Sequence, residues 1–451
     1  MQIVLTHAYF LSEDPKEQEI MRPYPPLGLL YLSAWLKTHA YHPEVVDSTF
    51  LQREEWLAAI REKKPKILAC YANLMTKVRL LELIHAVREI VPDCVLVAGG
   101  PDVSYNVENY LHAGFDAVIS GEGEQSLLEL VQAVDAGKSL DAIPGISYLE
   151  NGQVRENPAR EKMRELNALP FPDRDAIPFA HYLETWQSHH GLRTANISTQ
   201  RGCPYTCKWC STAVYGQSYR RNSPERVVEE ILLLKEKFQV EALWFVDDVF
   251  TVSHKWLASL HAAFQRANLT IPFECITRAE RLNDEILSML KAMGCFRIWI
   301  GAESGSQRII DRMDRRVELK NVQEMMQKTQ CMGMEAGTFL MVGYPGETHD
   351  DVRQSLDHLR KASPSLLTIT RAYPIKGTAL YAEVENTLQL PDWKRSTDRD
   401  LKIPLPYNDA YYRAAIRYLV NGWKGHRNGS WKARLKSHIS YGQMLWQKMI
   451  G

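Results

Sequence analysis

Strand-like apolar runs alternate with helix-like runs in two successive series, and this most restricts what the chain can fold into. In the first series the strand candidates are QIVLTHAYF (2–10), HPEVVDSTF (42–50), KILACYA (66–72), CVLVAGG (94–100) and DAVISGEGE (116–124). Between them lies a run from Pro25, where Leu27, Leu30, Tyr31, Ala34 and Trp35 recur at helical spacing. A charged amphipathic stretch at 52–64 and a helical stretch ending at residue 91 follow. This repeat predicts a doubly wound, mostly parallel sheet over residues 1–150, an α/β domain of Rossmann-like form.

Residues 151–195, rich in Pro, Asn and Asp as in LNALPFPDRDAIPF, predict an irregular linker laid over a surface. The second series opens with NISTQ (196–200) and an amphipathic helix at 224–238. It continues with ALWFVDDVF (242–250), PFECITRA (272–279), FRIWIGAES (296–304), TFLMVGYPGE (338–347) and LLTITRAYP (366–374). Six such units predict a partial, open (β/α)6 barrel over 196–380, with its chemistry at the carboxyl ends of the strands. Residues 381–451 predict a mainly helical carboxyl-terminal region punctuated by Tyr and Trp. Its basic stretch GWKGHRNGSWKARLKSH is expected to be a solvated helix face.

Composition removes several function classes. Lys plus Arg and Asp plus Glu number 54 each, so no charge excess argues for a nucleic-acid partner or an acidic tail. Eight Cys in 451 residues make no disulfide scaffold, and the opening MQIVLTHAYF has no positive leader region. A reducing, cytoplasmic setting is expected. No apolar run reaches bilayer-spanning length, which leaves peripheral membrane contact open. No G-x-G-x-x-G follows the first strand and no Walker sequence is present. Gly99, Gly100, Gly121 and Gly123 nevertheless stand at successive strand ends, where absent side chains let a flat ligand approach the backbone.

RGCPYTCKWCST, residues 201–212, brings Cys203, Cys207 and Cys210 together as C-x3-C-x2-C. Three readings follow from the residues. A structural zinc site needs a fourth ligand, such as His189 or His190. A set of free thiols needs none. A four-iron cluster held by three cysteines leaves one iron for an amino-acid-like chelator, unlike the usual four-cysteine electron-transfer site.

The segment resembles the cluster loop of the radical S-adenosylmethionine (radical SAM) superfamily. Trp209 is the aromatic residue typical before the last cysteine, and the loop follows the first barrel strand. Further motifs come in order. FVDDVF resembles the strand end near the methionine amino group, GAESG (301–305) the strand with a polar contact to SAM, and GYPGE (343–347) the loop beside adenosine. The resemblance implies a [4Fe-4S] cluster on Cys203, Cys207 and Cys210. One electron from it splits SAM into methionine and a 5′-deoxyadenosyl radical. It implies SAM contacts at Glu303 with neighbouring Ser304, at Asp247 or Asp248, and at Arg278 toward the SAM carboxylate, with Gly343 and Gly346 admitting close approach. Tyr205 and Trp209 are expected against the cluster or adenine, or in ordinary packing.

An α/β domain ahead of such a barrel resembles the cobalamin-binding group. PPLGLLYLSAWL, DAVISGEGE and GGP are similar to segments of its subfamily that includes the anaerobic magnesium-protoporphyrin IX monomethyl ester oxidative cyclase. Many cobalamin domains carry Asp-x-His-x-x-Gly, but here Asp47-Ser48-Thr49 has no His in third place, and His7, His39 and His42 do not restore the motif. The resemblance therefore implies a corrin laid across strand ends without a protein imidazole. Its contacts are expected at Tyr71, Asn73, Met75, Thr76, Gly99, Gly100, Pro101, Glu122 and Gly123. The alternative is a domain that has lost the cofactor and only caps the active site.

The implied activity is methylation of an unactivated carbon of a small molecule, with a low-potential flavodoxin or ferredoxin as electron donor and no nucleic acid. The alternative is oxidative cyclisation or rearrangement by the same parts. A non-catalytic carrier conflicts with the intact motifs. A tRNA methylthiotransferase conflicts with the isolated Cys70 and Cys94 and the neutral charge.

Overall fold

In the computed structural model, which describes residues 1–450, the first series forms one seven-stranded sheet. Its strands are β1 (Ile3–His7), β2 (Glu44–Val46), β3 (Ile67–Tyr71), β4 (Val95–Gly99), β5 (Ala117–Ile119), β6 (Ile146–Glu150) and β7 (Gln153–Glu156). The order is β2-β1-β3-β4-β5-β6-β7. The first five run parallel, and β6 and β7 are antiparallel to their neighbours. Side chains alternate between two cores, as a strand's period of two requires. Val4, Leu68 and Leu96 meet Trp56, Ile60 and Leu80 on one face. Ile3, Leu5, Ile67 and Val97 meet Leu36, Leu127 and Leu130 on the other. The order reverses between β1 and β3, so a crevice opens at the carboxyl ends.

The second series contains β8 (Thr194–Ile197), β9 (Gln200–Arg201), β10 (Arg220–Arg221), β11 (Ala242–Phe245), β12 (Phe273–Thr277), β13 (Cys295–Ile300), β14 (Glu335–Val342) and β15 (Leu366–Arg371). Six of them form an all-parallel sheet in the order β15-β14-β13-β12-β11-β8, the wall of an open barrel with free edges at β8 and β15. The short antiparallel pair β9–β10 brackets the cysteine loop. Ala195, Leu243, Phe245, Phe273, Ile298 and Leu340 face the outer core with the covering helices. The helix Pro224–Phe238 starts where the sequence signals it, with Pro224 at its first position and the Ser223 side chain accepting from Arg226 N at 3.3 Å.

The linker reading of 151–195 is corrected, whereas the helical carboxyl-terminal reading holds. Within 151–195, β7 pairs with β6, and the helix Phe179–His190 buries Phe179, Tyr182, Leu183 and Trp186. Pro178 sits at that helix's N-cap, so a residue read as loop punctuation marks a helix start. The carboxyl-terminal region is a hairpin of helices Asp409–Arg427 and Trp431–Ile450, with Tyr411, Tyr412, Leu419 and Met444 joined to the barrel's outer core. Among the described residues, no helix is long and apolar enough to cross a membrane.

The two sheets are tied at both ends. Below the barrel, Pro25 O accepts from Asn196 Nδ2 at 3.1 Å and Arg22 lies 3.7 Å from Glu274. On the far side, residues after β15 return to the first domain, where Lys376 Nζ donates to Asn106 Oδ1 at 3.1 Å and Trp393 packs edge-on to Tyr110.

Candidate active site between the two sheets

The cysteine loop hangs from β9 on a set of buried charges. Asp247 accepts from Thr199 N at 2.7 Å and Gln200 N at 3.1 Å, and lies 3.3 Å from Arg221 Nη2. Burial pushes its carboxyl up, against the pull of Arg221. The predicted pair separates just beyond β11: Asp247 is buried and braces the loop, whereas Asp248 is exposed to a cavity. Although reachable from that cavity, Asp248 is enclosed enough that desolvation raises its carboxyl, with Asp247 adding to the effect.

Arg201 precedes the loop and is held by the amino-terminal domain. It pairs with Glu124 and, at 3.2 Å, with Glu122, while Arg220 reaches Glu122 at 2.8 Å. Gly202 has φ +83°, and a Cβ there would lie 2.6 Å from Ser218 O, so only glycine fits the turn. Within the loop, Cys207 is buried, Cys203 half-buried and Cys210 exposed. Arg278 Nη1 lies 3.2 Å from Cys207 Sγ, and Arg315 Nη1 lies 3.8 Å away. A hydrogen bond from Cys210 and the charges of Arg315 and Arg278 hold the Cys207 thiol well below its ordinary range. That same bond holds Cys210 up, and burial raises Cys203.

Among the described residues, no three His, Cys, Asp or Glu side chains form a cage for a single ion. His189 and His190 end the helix that precedes β8, at the opposite end of that strand from the cysteines. They bond to backbone carbonyls there, which removes them as fourth ligands of a zinc site.

A cavity of about 460 Å³ lies between the sheets. Its amino-terminal wall includes Tyr71, Gly99, Gly100, Pro101, Glu122 and Gly123, all expected from the sequence. Its barrel wall includes Cys203, Asp247, Asp248 and Gln200. Asn73, Met75 and Thr76 are not on the wall. Asn73 Oδ1 accepts from Met75 N at 2.8 Å and Thr76 N at 3.0 Å, building the turn that follows Tyr71. Glu122 is on the wall, but its carboxylate is occupied by Arg201, Arg220 and Met163 N. No histidine lines the cavity. His7 is committed to Asp47 at 2.9 Å, and Tyr182 donates to the same carboxylate at 2.6 Å.

A second pocket of about 200 Å³ lies in the barrel mouth, lined by Trp209, Glu303, Met341, Thr368, Thr370 and Arg371 among others. Glu303 has φ +67°, a strained left-handed backbone held by bonds of its N to Phe339 O at 3.0 Å and of its O to Met341 N at 2.7 Å. Burial raises its carboxyl, and Arg315, 3.8 Å away, opposes that. Arg278, expected toward the SAM carboxylate, lines neither cavity. Its three nitrogens are engaged by Glu280, Cys207 and the Arg315 carbonyl. Ser304 is buried and accepts from Ser306 N at 3.2 Å. Gly343 N donates to Glu347 at 2.6 Å, and a Cβ on Gly346 would lie 3.1 Å from the Arg312 guanidinium, so protein side chains crowd these turns.

Residues 197–359 match the radical SAM superfamily and residues 19–131 match the B12 binding domain. The chain belongs to the cobalamin-binding radical SAM enzymes. An uncharacterized methyltransferase of Pyrococcus horikoshii is 28% identical over 83% of this chain and 82% of its own. The anaerobic magnesium-protoporphyrin IX monomethyl ester cyclase of Rubrivivax gelatinosus is 25% identical over 88% of this chain and 72% of its own. The fold is that of the radical SAM methyltransferase TsrM of Kitasatospora setae, solved with cobalamin and a [4Fe-4S] cluster: TM-score 0.74, 14% identity, 98% of this chain and 99% of that one.

Cobalamin, SAM and a [4Fe-4S] cluster are the cofactors represented among this chain's structural relatives. The cavity suits these groups. Gln200 Oε1, buried on the wall, has no hydrogen-bond partner and can accept from an amide-rimmed ligand such as a corrin. Gly28 and Gly121 leave open or loosely filled space beside it. The three thiols, one held low by two guanidiniums, are a donor set for iron. Arg201, Arg315 and Gln200 escaped the sequence reading. Arg201 abuts the Gly202-Cys203 step, which was a usable signal, whereas nothing local ties Arg315 to a cysteine 108 residues away.

Proposed function

We propose that the enzyme is a C-methyltransferase acting on an unactivated carbon of a small molecule held between its two sheets. One observation carries this: a single cavity is walled by Gly99, Gly100 and Gly121 of the amino-terminal strand ends and by Cys203 and Asp248 of the barrel. When bound, cobalamin supplies a transferable methyl group, and SAM on the cluster supplies a radical able to take hydrogen from carbon. Cys203, Cys207 and Cys210 would hold the cluster, with Arg278 and Arg315 keeping Cys207 in the thiolate form that binds iron. Glu303 and Trp209 would hold SAM in the barrel mouth. Tyr71, Gly99, Gly100, Pro101, Gly123 and Gln200 would hold the corrin.

The remaining residues set distances. Glu122 and Glu124 bind Arg201, so the amino-terminal domain grips the start of the cysteine loop and fixes the gap in which the reacting atoms must nearly touch. Leu27, Leu32, Ile119 and Leu127 make part of the wall apolar and keep water out. A low-potential flavodoxin or ferredoxin is the proposed electron source.

Similarity to a named cyclase favours a second reading, cyclisation or rearrangement without methyl transfer. The two separate in one assay of reduced, cluster-loaded, cobalamin-loaded enzyme with candidate small molecules. Methyl transfer yields S-adenosylhomocysteine together with 5′-deoxyadenosine. 5′-Deoxyadenosine with an altered substrate and no S-adenosylhomocysteine assigns the second reading. Absence of SAM cleavage under any condition overturns both.

A further inference from the structure

The last helix, Trp431–Ile450, shows water the face that a helix ordinarily hides. Its inward side is small, with Ser437, Ser440 and Met444 buried. Its outward side carries Trp431, Leu435, Ile439, Trp446, Met449 and Ile450, each between 53% and 73% exposed. At helical spacing these six fall in one stripe about 100° wide, opposite Met444. Isolated apolar residues on a surface need no explanation, but a stripe running the length of a helix does.

Charge identifies what covers it. Eight Lys and Arg follow Asp409 and no Asp or Glu does, in a chain whose formal net charge is zero. Lys432 and Lys436 flank one side of the stripe and Arg434 the other, all exposed. Where the stretch expected to be a solvated face enters the last helix, its Lys and Arg border the apolar stripe. A second copy of this chain would bring two strongly positive helices together, which repulsion opposes. An apolar stripe with cationic borders and tryptophans near both ends matches the boundary between anionic headgroups and acyl chains. We infer that the helix Trp431–Ile450 lies in the surface of an anionic lipid bilayer and makes the enzyme a peripheral membrane protein. This stands apart from the methyl-transfer reading and uses none of its residues.

The full-length chain is tested by flotation with vesicles of phosphatidylcholine alone and of phosphatidylcholine mixed equally with phosphatidylglycerol. The expected result is recovery about tenfold higher with the anionic vesicles, lost in high salt. Two double variants, Trp431→Gln with Trp446→Gln and Lys432→Glu with Lys436→Glu, change only outward residues. Each is expected to abolish flotation while circular dichroism and SAM cleavage stay unchanged. Failure of the wild-type chain to float with anionic vesicles overturns the inference, as does flotation that both variants retain. Light scattering that shows a dimer dissolved by the tryptophan variant, without vesicle binding, assigns the stripe to self-association instead. A purified acidic protein that binds the stripe when vesicles do not assigns it to a protein partner.

Discussion

At the ends of the amino-terminal strands the enzyme offers glycines and apolar side chains, while at the ends of the barrel strands it offers thiols, guanidiniums and carboxylates. Gly28, Gly99, Gly100, Gly121 and Gly123 line one side of the shared cavity. Cys207 with Arg278 and Arg315, and Glu303 with Arg315, occupy the other region. The contrast follows from what each region has to hold. A large preformed macrocycle is accommodated by leaving atoms out, whereas an inorganic cluster is held by bonds to named atoms. The first region should therefore fail when atoms are added and the second when they are removed.

The largest effect is expected from removal in the barrel. Cys203→Ala, Cys207→Ala and Cys210→Ala should each bring 5′-deoxyadenosine formation to background and deplete iron, read by product analysis and metal assay. Retention of a full cluster in any of them would break the comparison at its stronger side. Next is the join between regions. Arg201→Met leaves Glu124 charged and buried, with side chains in the wild-type pair only 7% and 6% exposed. Loss of about 3–5 kcal/mol in urea unfolding is expected, because breaking one partner of a buried pair strands the other charge.

A smaller, pH-dependent effect is expected at Glu347, whose carboxyl burial pushes from about 4.5 up to about 8. A raised folded pKa means that its stabilising contribution is complete below about pH 4.5 and is lost as pH rises through about 8. Glu347→Gln should therefore gain stability relative to wild type across that window, in melting temperatures taken pH by pH; parallel curves would show that the Glu347 carboxyl titrates alike in the folded and unfolded chain.

The smallest effect, and the sharpest for the comparison, comes from adding atoms at Gly28. It lies in the helix Leu27–Thr38, where a Cβ meets nothing within 4 Å. Gly28→Phe should lower retained cobalt about tenfold, equivalent to about 1.4 kcal/mol, while leaving iron unchanged. Parallel loss of both would show that the two regions are not separable.

The two regions were also unequally legible. C-x3-C-x2-C, FVDDVF, GAESG and GYPGE are contiguous, so the barrel's chemistry could be read directly. The glycines at strand ends pointed to the amino-terminal wall, but Asn73 and Thr76 build a turn off the wall that also takes in the Met75 backbone, since short polar side chains beside a helix start bond to the backbone first. The contact of Arg278 with Cys207 was not legible, because reach along a strand end does not reveal which of several partners a long side chain meets. The helix at 179–190 was hidden by flanking prolines that favour loops and helix starts alike.

What the sequence determined alone was everything with a short period or a short motif: two α/β series, their parallel order, and three cysteines in one loop. These depend on neighbours along the chain, where spacing and rotamer geometry are already set. The tertiary structure decided which charges meet, as when Arg201 finds Glu124 from 77 residues away, and whether the strand ends enclose one cavity or two. It also decided that the last helix turns its apolar stripe outward, because a helical pattern fixes that a stripe exists but not which side the rest of the protein covers.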